Sequence, residues 1–233
     1  MEAIILAGGL GTRLRSVIGD LPKPMAPIGD KPFLWYLLSS LDKYDVKRVI
    51  LAVGYKYQGI QEFFGARFGH LDIDYSVEEE LLGTGGGIRR AFHKVTGPQV
   101  LILNGDTFFH IDYSRLAEFH LSLKSDLTIA LKPMLNFNRY GNVLTQKSRV
   151  VGFEEKNDME SGNINGGVYM ANPDLFAGLD LGERFSFEKD FLERYVHQLN
   201  FHAYMTEGYF IDIGIPEDYR KAQCDVPVIF NQF

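Results

Sequence analysis

Four strand-like segments separated by helical patterns occupy residues 3–103, and this alternation constrains the fold more than anything else in the chain. Residues 3–7, 47–53 and 99–103 are short apolar runs, and residues 72–77 alternate apolar with polar side chains. Between the first two runs, Phe33, Leu34, Leu37, Leu38, Leu41 and Tyr44 form one stripe at helical spacing over residues 32–44, with Pro32 suited to the first turn. Further helices are expected at Tyr57–Phe64 and over residues 88–95. Strands and helices alternating at this spacing build βαβ units and a mostly parallel sheet.

The first strand runs into Gly8-Gly9-Leu10-Gly11-Thr12-Arg13. Glycines at a strand end let backbone N–H groups turn toward an anion with no Cβ in the way. Arg13 adds a forked, permanently charged donor, and Lys23 follows between Pro22 and Pro24, which stiffen the backbone around it. This is neither the dinucleotide fingerprint, because Leu14 stands where a sixth-position glycine is needed, nor a P-loop, because no G-x-x-x-x-G-K-[ST] run occurs. A second glycine cluster, Gly83-Thr84-Gly85-Gly86-Gly87, follows Glu78-Glu79-Glu80, and the fourth strand ends in Asn104-Gly105-Asp106. In open α/β sheets ligands bind outside the carboxyl ends of the strands, where both glycine clusters and Asp106 fall.

Composition narrows the partners. The 233 residues can bury one large α/β core, and the net charge of −6 argues against a general nucleic-acid binder. An anionic ligand must be held by a few local cations, with Arg13, Lys23 and Lys156 the candidates. A single cysteine, Cys224, excludes an intramolecular disulfide and a cysteine-rich metal site. A core strand starting at residue 2 leaves no room for a signal peptide, and no stretch approaches the length of a membrane span, so a cytoplasmic location without membrane attachment is expected.

The alternation loosens after residue 107. Asp112 fits the N-cap of a helix reaching residue 123, Leu127, Ile129 and Leu131 point one way along a strand, and residues 136–141 read as a loop. Strands are expected over 142–145, 150–153 and 164–170, the last with Gly166 and Gly167 inside it. A helix begins after Ser186, a strand spans Phe201–Met205, and Asp212-Ile213-Gly214 leads to Pro216 at the start of a final helix. One domain is expected, with a nucleotide half over residues 1–107 and a second-substrate half over 108–233.

Asp106 and Asp212 are metal candidates. Each ends an apolar strand beside a glycine, where a carboxylate is costly unless paired or metal-bound. Carboxylate oxygens without nearby histidine or cysteine suit Mg²⁺. A simple turn at Asp106 and a helix cap at Asp212 are the structural alternatives. Glu155 with Lys156 fits a sugar-phosphate grip or a solvated hairpin end. Asn165 with Gly166 fits a hydroxyl-binding backbone or a bulge. The six histidines lack metal spacing, and no Gly-x-Ser-x-Gly nucleophile elbow occurs.

Residues 6–14 with Pro22-Lys23-Pro24, Gly83-Thr84-Gly85-Gly86, Asn104-Gly105-Asp106, Phe153-Glu154-Glu155-Lys156, Asn165-Gly166-Gly167 and Phe210-Ile211-Asp212-Ile213-Gly214 together resemble, in order, the motifs of sugar-1-phosphate nucleotidyltransferases. Residues 107–109 and Phe185-Ser186-Phe187-Glu188 are most similar to the bacterial branch that guanylylates D-glycero-D-manno-heptose 1-phosphate. The resemblance implies an α/β, Rossmann-like three-layer sandwich around a central, mostly parallel mixed sheet. It implies GTP and a sugar 1-phosphate as partners, Mg²⁺ as cofactor and a possible homodimer. By the same resemblance Leu6, Ala7, Gly8, Gly9, Gly11, Thr12, Arg13, Lys23, Glu80, Gly83 and Thr84 bind the nucleotide. Gly141, Glu155, Lys156, Asn165, Gly166 and Lys189 hold the sugar phosphate, Asp106 and Asp212 hold the metal, and Arg13, Lys23 and Asp106 are catalytic. Other members of the class, using mannose 1-phosphate, UTP or CTP, remain open, as does a non-catalytic nucleotide sensor.

Overall fold

The computed structural model describes residues 1–9 and 11–231; Leu10, Gln232 and Phe233, and the side chain of Thr12, lie outside the described residues. The strands in chain order are β1 (Glu2–Leu6), β2 (Pro27–Ile28), β3 (Lys31–Pro32), β4 (Arg48–Val53), β5 (Arg67–Phe68), β6 (Leu71–Val77), β7 (Val100–Asn104), β8 (Thr107–Phe109), β9 (Leu127–Phe137), β10 (Asn142–Gln146), β11 (Arg149–Glu154), β12 (Met159–Ala171), β13 (Phe201–Met205) and β14 (Phe210–Asp212). The helices are α1 (Arg15–Ile18), α2 (Phe33–Asp42), α3 (Tyr57–Phe64), α4 (Gly83–Phe92), α5 (Tyr113–Ser122) and α6 (Pro216–Phe230), with one π-helical segment at Phe187–Glu193.

One ten-stranded sheet runs β10-β11-β13-β9-β12-β7-β1-β4-β6-β5. β7, β1, β4 and β6 are parallel to one another, joined by helices, as the apolar runs require. Ala3 and Ile5 of β1 pack on one face with residues of α2, α3, α5 and α6. Ile4 packs on the other face with α4 and the π-helical segment. That period-two division of a strand buried on both sides explains a continuous apolar run.

The expectation of a mostly parallel sheet holds for this half only. β12 runs antiparallel to both β7 and β9, and β10 pairs with β11 and again with β12 through Asn142 and Ile164. The strands β10, β11, β13, β9 and β12 thereby close on themselves into a small barrel at one end of the sheet. One of these pairs has a local cause: β10 and β11 are joined by a tight turn with Lys147 at φ 54°, and a tight turn can only make an antiparallel pair. The sheet is therefore mixed, with a layered α/β half and a closed half in which every pair is antiparallel except β13 with β9.

Other boundaries moved for identifiable reasons. α4 starts at Gly83, so the second glycine cluster is the first turns of a helix rather than a loop. β9 continues to Phe137, into the segment expected to be a loop, because β12 is long enough to pair with it as far as Met159. Trp35, which lies off the α2 stripe, is covered within its own chain by Tyr36, Phe68 and Phe230 at ring separations of 5.2, 6.1 and 5.4 Å. No helix is long and apolar enough to cross a membrane among the described residues.

Candidate active site

A cavity of about 520 Å³ opens at the carboxyl ends of β1, β6 and β7. Leu6, Gly8, Gly9, Gly11, Arg13 and Lys23 line it from the first loop, and Asp106 and Asp212 line it from farther along the chain. Gly105 makes the close approach possible. Its N–H donates to the Leu6 carbonyl at 2.9 Å, and a Cβ at this position would lie 2.2 Å from that oxygen. The chain therefore turns against the end of β1, and Asp106 emerges beside the glycine loop.

Asp212 reaches the same place by strand pairing. β14 lies antiparallel to β8 with Asp212 opposite Thr107, and the Ile213 N–H donates to the Asp106 carbonyl at 2.9 Å. Two aspartates distant in sequence thus become neighbours. Lys23, held in a 3₁₀ turn after Pro22, donates from Nζ to Asp106 Oδ2 at 2.7 Å, with its side chain only 13% exposed. The Gly214 N–H donates to Asp212 Oδ1 at 2.5 Å. Burial, and then the neighbouring Asp106 carboxylate, push the Asp212 pKa up to about 6, against the opposing pull of Lys23, the Gly214 N–H and Arg139. Two crowded carboxylates, one of them paired with a lysine, with no histidine or cysteine in the lining among the described residues, match the donor chemistry of a hard divalent cation bound with phosphate oxygens.

The wall at the end of β6 and the start of α4 differs from expectation. Glu80 is exposed and does not line the cavity; Glu78, Leu81, Gly83 and Thr84 do. Glu78 Oε2 accepts from the Leu82 N–H at 3.1 Å, and burial raises its pKa above the ordinary carboxylate value, with that hydrogen bond and Arg90 opposing. Sequence reasoning missed Glu78, although it is the first residue past β6 and so stands at a strand carboxyl end, as Asn104 does at the end of β7. Ala7 is buried, with its N–H given to Ala52, and lies beneath the loop rather than in the lining.

The glycines of α4 serve packing. A Cβ on Gly83, Gly85 or Gly86 would lie 2.6 Å from the Phe185 carbonyl oxygen, 2.2 Å from the Phe185 ring and 2.6 Å from the Glu183 carbonyl oxygen respectively. The Gly85 and Gly86 N–H groups both point to the Phe185 carbonyl, at 3.0 and 3.3 Å, so the first turn of α4 is occupied by protein rather than open to phosphate. Thr84 Oγ1 reaches across this seam and donates to Glu188 Oε2 at 2.8 Å. Glu188 also lines the cavity and was not anticipated.

The residues expected to hold a sugar phosphate form a separate set, none of it in the cavity lining. Lys189 Nζ pairs with Glu155 at 3.2 Å across an exposed edge, and Lys156 is exposed next to them. Asn165 donates from Nδ2 to the Tyr169 hydroxyl at 2.8 Å and accepts at Oδ1 from the Gly167 N–H at 3.0 Å. Gly166 lies under the Phe109 ring, and Gly141 abuts the Glu154 carbonyl.

A glycine loop, a lysine and paired aspartates converge on one strand-end cavity, a set of groups suited to a nucleotide's phosphates and a divalent cation. The chain belongs to the nucleotidyl transferase family, whose model matches residues 2–227. It is 56% identical over 226 residues to a D-glycero-alpha-D-manno-heptose 1-phosphate guanylyltransferase of Aneurinibacillus thermoaerophilus, covering 97% of this chain and 98% of that protein. It is 49% identical to the enzyme of the same name from Campylobacter jejuni, covering 94% and 97% of the two chains. Among solved structures, HddC from Yersinia pseudotuberculosis complexed with GMP-PN superposes with a TM-score of 0.85 at 39% identity, covering 95% of this chain and 97% of that one.

Proposed function

We propose that this protein transfers GMP from GTP to D-glycero-D-manno-heptose 1-phosphate, releasing pyrophosphate and forming a GDP-sugar. The convergence of Arg13, Lys23, Asp106 and Asp212 with the glycine loop on one cavity carries this reading. The full-length likeness to enzymes of that name supports the choice of sugar.

A phosphate oxygen of the sugar 1-phosphate attacks the α-phosphorus in line. A new P–O bond forms, the bond to the β-phosphate bridging oxygen breaks, and pyrophosphate leaves with that electron pair. The attacking oxygen is already an anion at neutral pH, so no general base is needed. Among the described residues no histidine lines the cavity. The obstacle is repulsion between two polyanions, which positioned cations relieve. Arg13 and Lys23 place positive charge against the triphosphate, and the backbone at Gly8, Gly9 and Gly11 allows it to approach. Mg²⁺ held by Asp106 and Asp212 would neutralise further phosphate charge. Glu78, a pure acceptor when ionised, matches the N1–H and exocyclic amine of guanine. The residues Gly141, Glu155, Lys156, Asn165, Gly166 and Lys189 take the sugar phosphate from the β10–β12 side, so that residues 1–107 and 108–233 supply the two substrates' sites within one domain.

The test is pyrophosphate release with Mg²⁺ across the four ribonucleoside triphosphates and several sugar 1-phosphates, the heptose and mannose compounds among them. Release confined to GTP with the heptose phosphate is the expected result. Release with another pair would keep the chemistry and replace the substrate. A folded sample that binds GTP yet stays silent across the grid would overturn the enzyme reading in favour of a nucleotide sensor.

A further inference from the structure

Glu188 is an acidic side chain in the wall of the cavity proposed to take the triphosphate. It belongs to the π-helical segment Phe187–Glu193, whose N-cap Ser186 accepts from the Lys189 N–H. One carboxylate oxygen, Oε2, accepts from Thr84 Oγ1 at 2.8 Å and from Ser186 Oγ at 3.1 Å. Thr84 is in turn fixed by the Phe187 N–H, which donates to its hydroxyl at 2.8 Å. Among the described residues, the other oxygen, Oε1, has no hydrogen-bond partner and no cation pairs with the carboxylate. The side chain is half-buried and faces the cavity.

The surroundings say which substrate meets the unoccupied oxygen. Burial, and next the Glu188 charge, raise the pKa of the Tyr169 hydroxyl, which places Glu188 near the Asn165–Tyr169 hydrogen bond of β12. Glu188 also precedes Lys189, which pairs with Glu155 at the end of β11. Glu188 therefore stands between the two sets, bonded to Thr84 on one side and next to the residues proposed for the sugar phosphate on the other. A carboxylate at a cavity wall, held at one oxygen and with no protein donor on the other among the described residues, repels phosphate and accepts from hydroxyls.

We propose that Glu188 is a specificity-determining residue that accepts hydrogen bonds from hydroxyls of the sugar 1-phosphate through Oε1, while Thr84 and Ser186 hold Oε2. This rests on the sugar-1-phosphate reading above and deepens it. Thr84 sits on the nucleotide half, so its hydroxyl is a positioning group: it carries the placement of α4 to the residue that grips the sugar. A sugar lacking the contacted hydroxyl would leave a half-buried carboxylate oxygen unpaired, a loss that discriminates strongly.

The experiment measures initial rates of pyrophosphate release by the wild-type protein and Glu188→Gln. GTP is held saturating, and the heptose 1-phosphate and its monodeoxy analogues are varied. Glutamine keeps an amide oxygen for Thr84 and Ser186, so the seam persists and an unchanged melting temperature is expected. The expected result is a KM for the sugar phosphate raised by about ten- to a hundredfold, with the KM for GTP unchanged. One deoxy analogue is expected to lower wild-type kcat/KM by a similar factor and to be nearly indistinguishable from the full sugar for Glu188→Gln. An unchanged sugar KM, an equal penalty for the variant on every analogue, or a shift confined to the GTP KM would each overturn the proposal while leaving the reaction intact. No release by the wild-type protein with any sugar 1-phosphate would remove the underlying reading, and this inference with it.

Discussion

Lys23 and Asp106 form an ion pair at 2.7 Å between a 3₁₀ turn near the start of the chain and the turn after β7. The lysine occupies an oxygen of one of two adjacent carboxylates, and Asp212 is the other. Both side chains line the cavity, so the pair holds in register the two groups proposed to act on the triphosphate.

Replacing either partner should therefore cost much more rate than fold. Lys23→Ala or Asp106→Ala is expected to lower pyrophosphate release by on the order of 10²–10³, the loss typical when one preorganised charge is removed. A chelator should abolish turnover in the intact protein, and added divalent metal should restore it. Near-normal rates for Asp106→Ala would sink the metal assignment.

The crowded carboxylates predict a pH profile. The Asp212 pKa is pushed up to about 6, so this group is ionised at pH 7.5 and increasingly protonated below 6. Its capacity to hold a cation then declines. The expected profile is a fall in kcat/KM of about tenfold per unit once the pH is well below that value, the slope of a single protonation. Glu78→Gln should leave this limb in place. Its disappearance in that variant would assign the ionisation to Glu78 instead.

The opposite end of the sheet predicts a stability effect. Buried Glu2 accepts from the Thr96 and Gly97 N–H groups at 2.7 and 2.6 Å and from Arg48 Nη1 at 2.9 Å, and Arg48 donates on to Asp74 at 2.6 Å. Burial alone would raise the Glu2 pKa, yet these donors together hold it below the ordinary glutamate value. An acid with a depressed native pKa stabilises the fold above its unfolded pKa, and that contribution vanishes as pH falls through the native value. Glu2→Gln should lower unfolding free energy by about 1–3 kcal/mol at pH 7, with the difference from wild type shrinking below pH 4. Urea denaturation at both pH values measures it. A gap that stays constant with pH would assign the loss to packing.

The α4 seam predicts a coupled defect. Gly85→Ala puts a Cβ 2.2 Å from the Phe185 ring, which is itself buried, so the helix must move off residues 183–187. A loss of about 1–3 kcal/mol is expected from overpacking. The sugar KM should rise with it, because Thr84 would leave Glu188. A melt lowered without any change in KM would separate the seam from the site.

Much of the parallel half was legible from the chain alone. A strand buried on both faces has to be an uninterrupted apolar run, and such runs at β1, β4 and β7 declared the sheet. Asp112 capping α5 and Pro216 opening α6 follow from local chemistry and needed nothing beyond neighbouring residues. Gly8, Gly11, Arg13, Lys23, Asp106 and Asp212 were nameable because strand ends carry ligands in this class of fold.

Tertiary structure decided what depends on residues far apart in sequence. Nothing local marks the pairing of β14 with β8 that sets Asp212 beside Asp106, since register is fixed by the partner strand. Nor does anything local show that β10 returns to β12 and closes a barrel, that the glycines of α4 make room for Phe185, or that Glu78 and Glu188 face the cavity while Glu80 faces solvent. Periodicity determines which face of an element is buried. The side chains and backbone that meet that face come from distant segments, and only the packed chain brings them together.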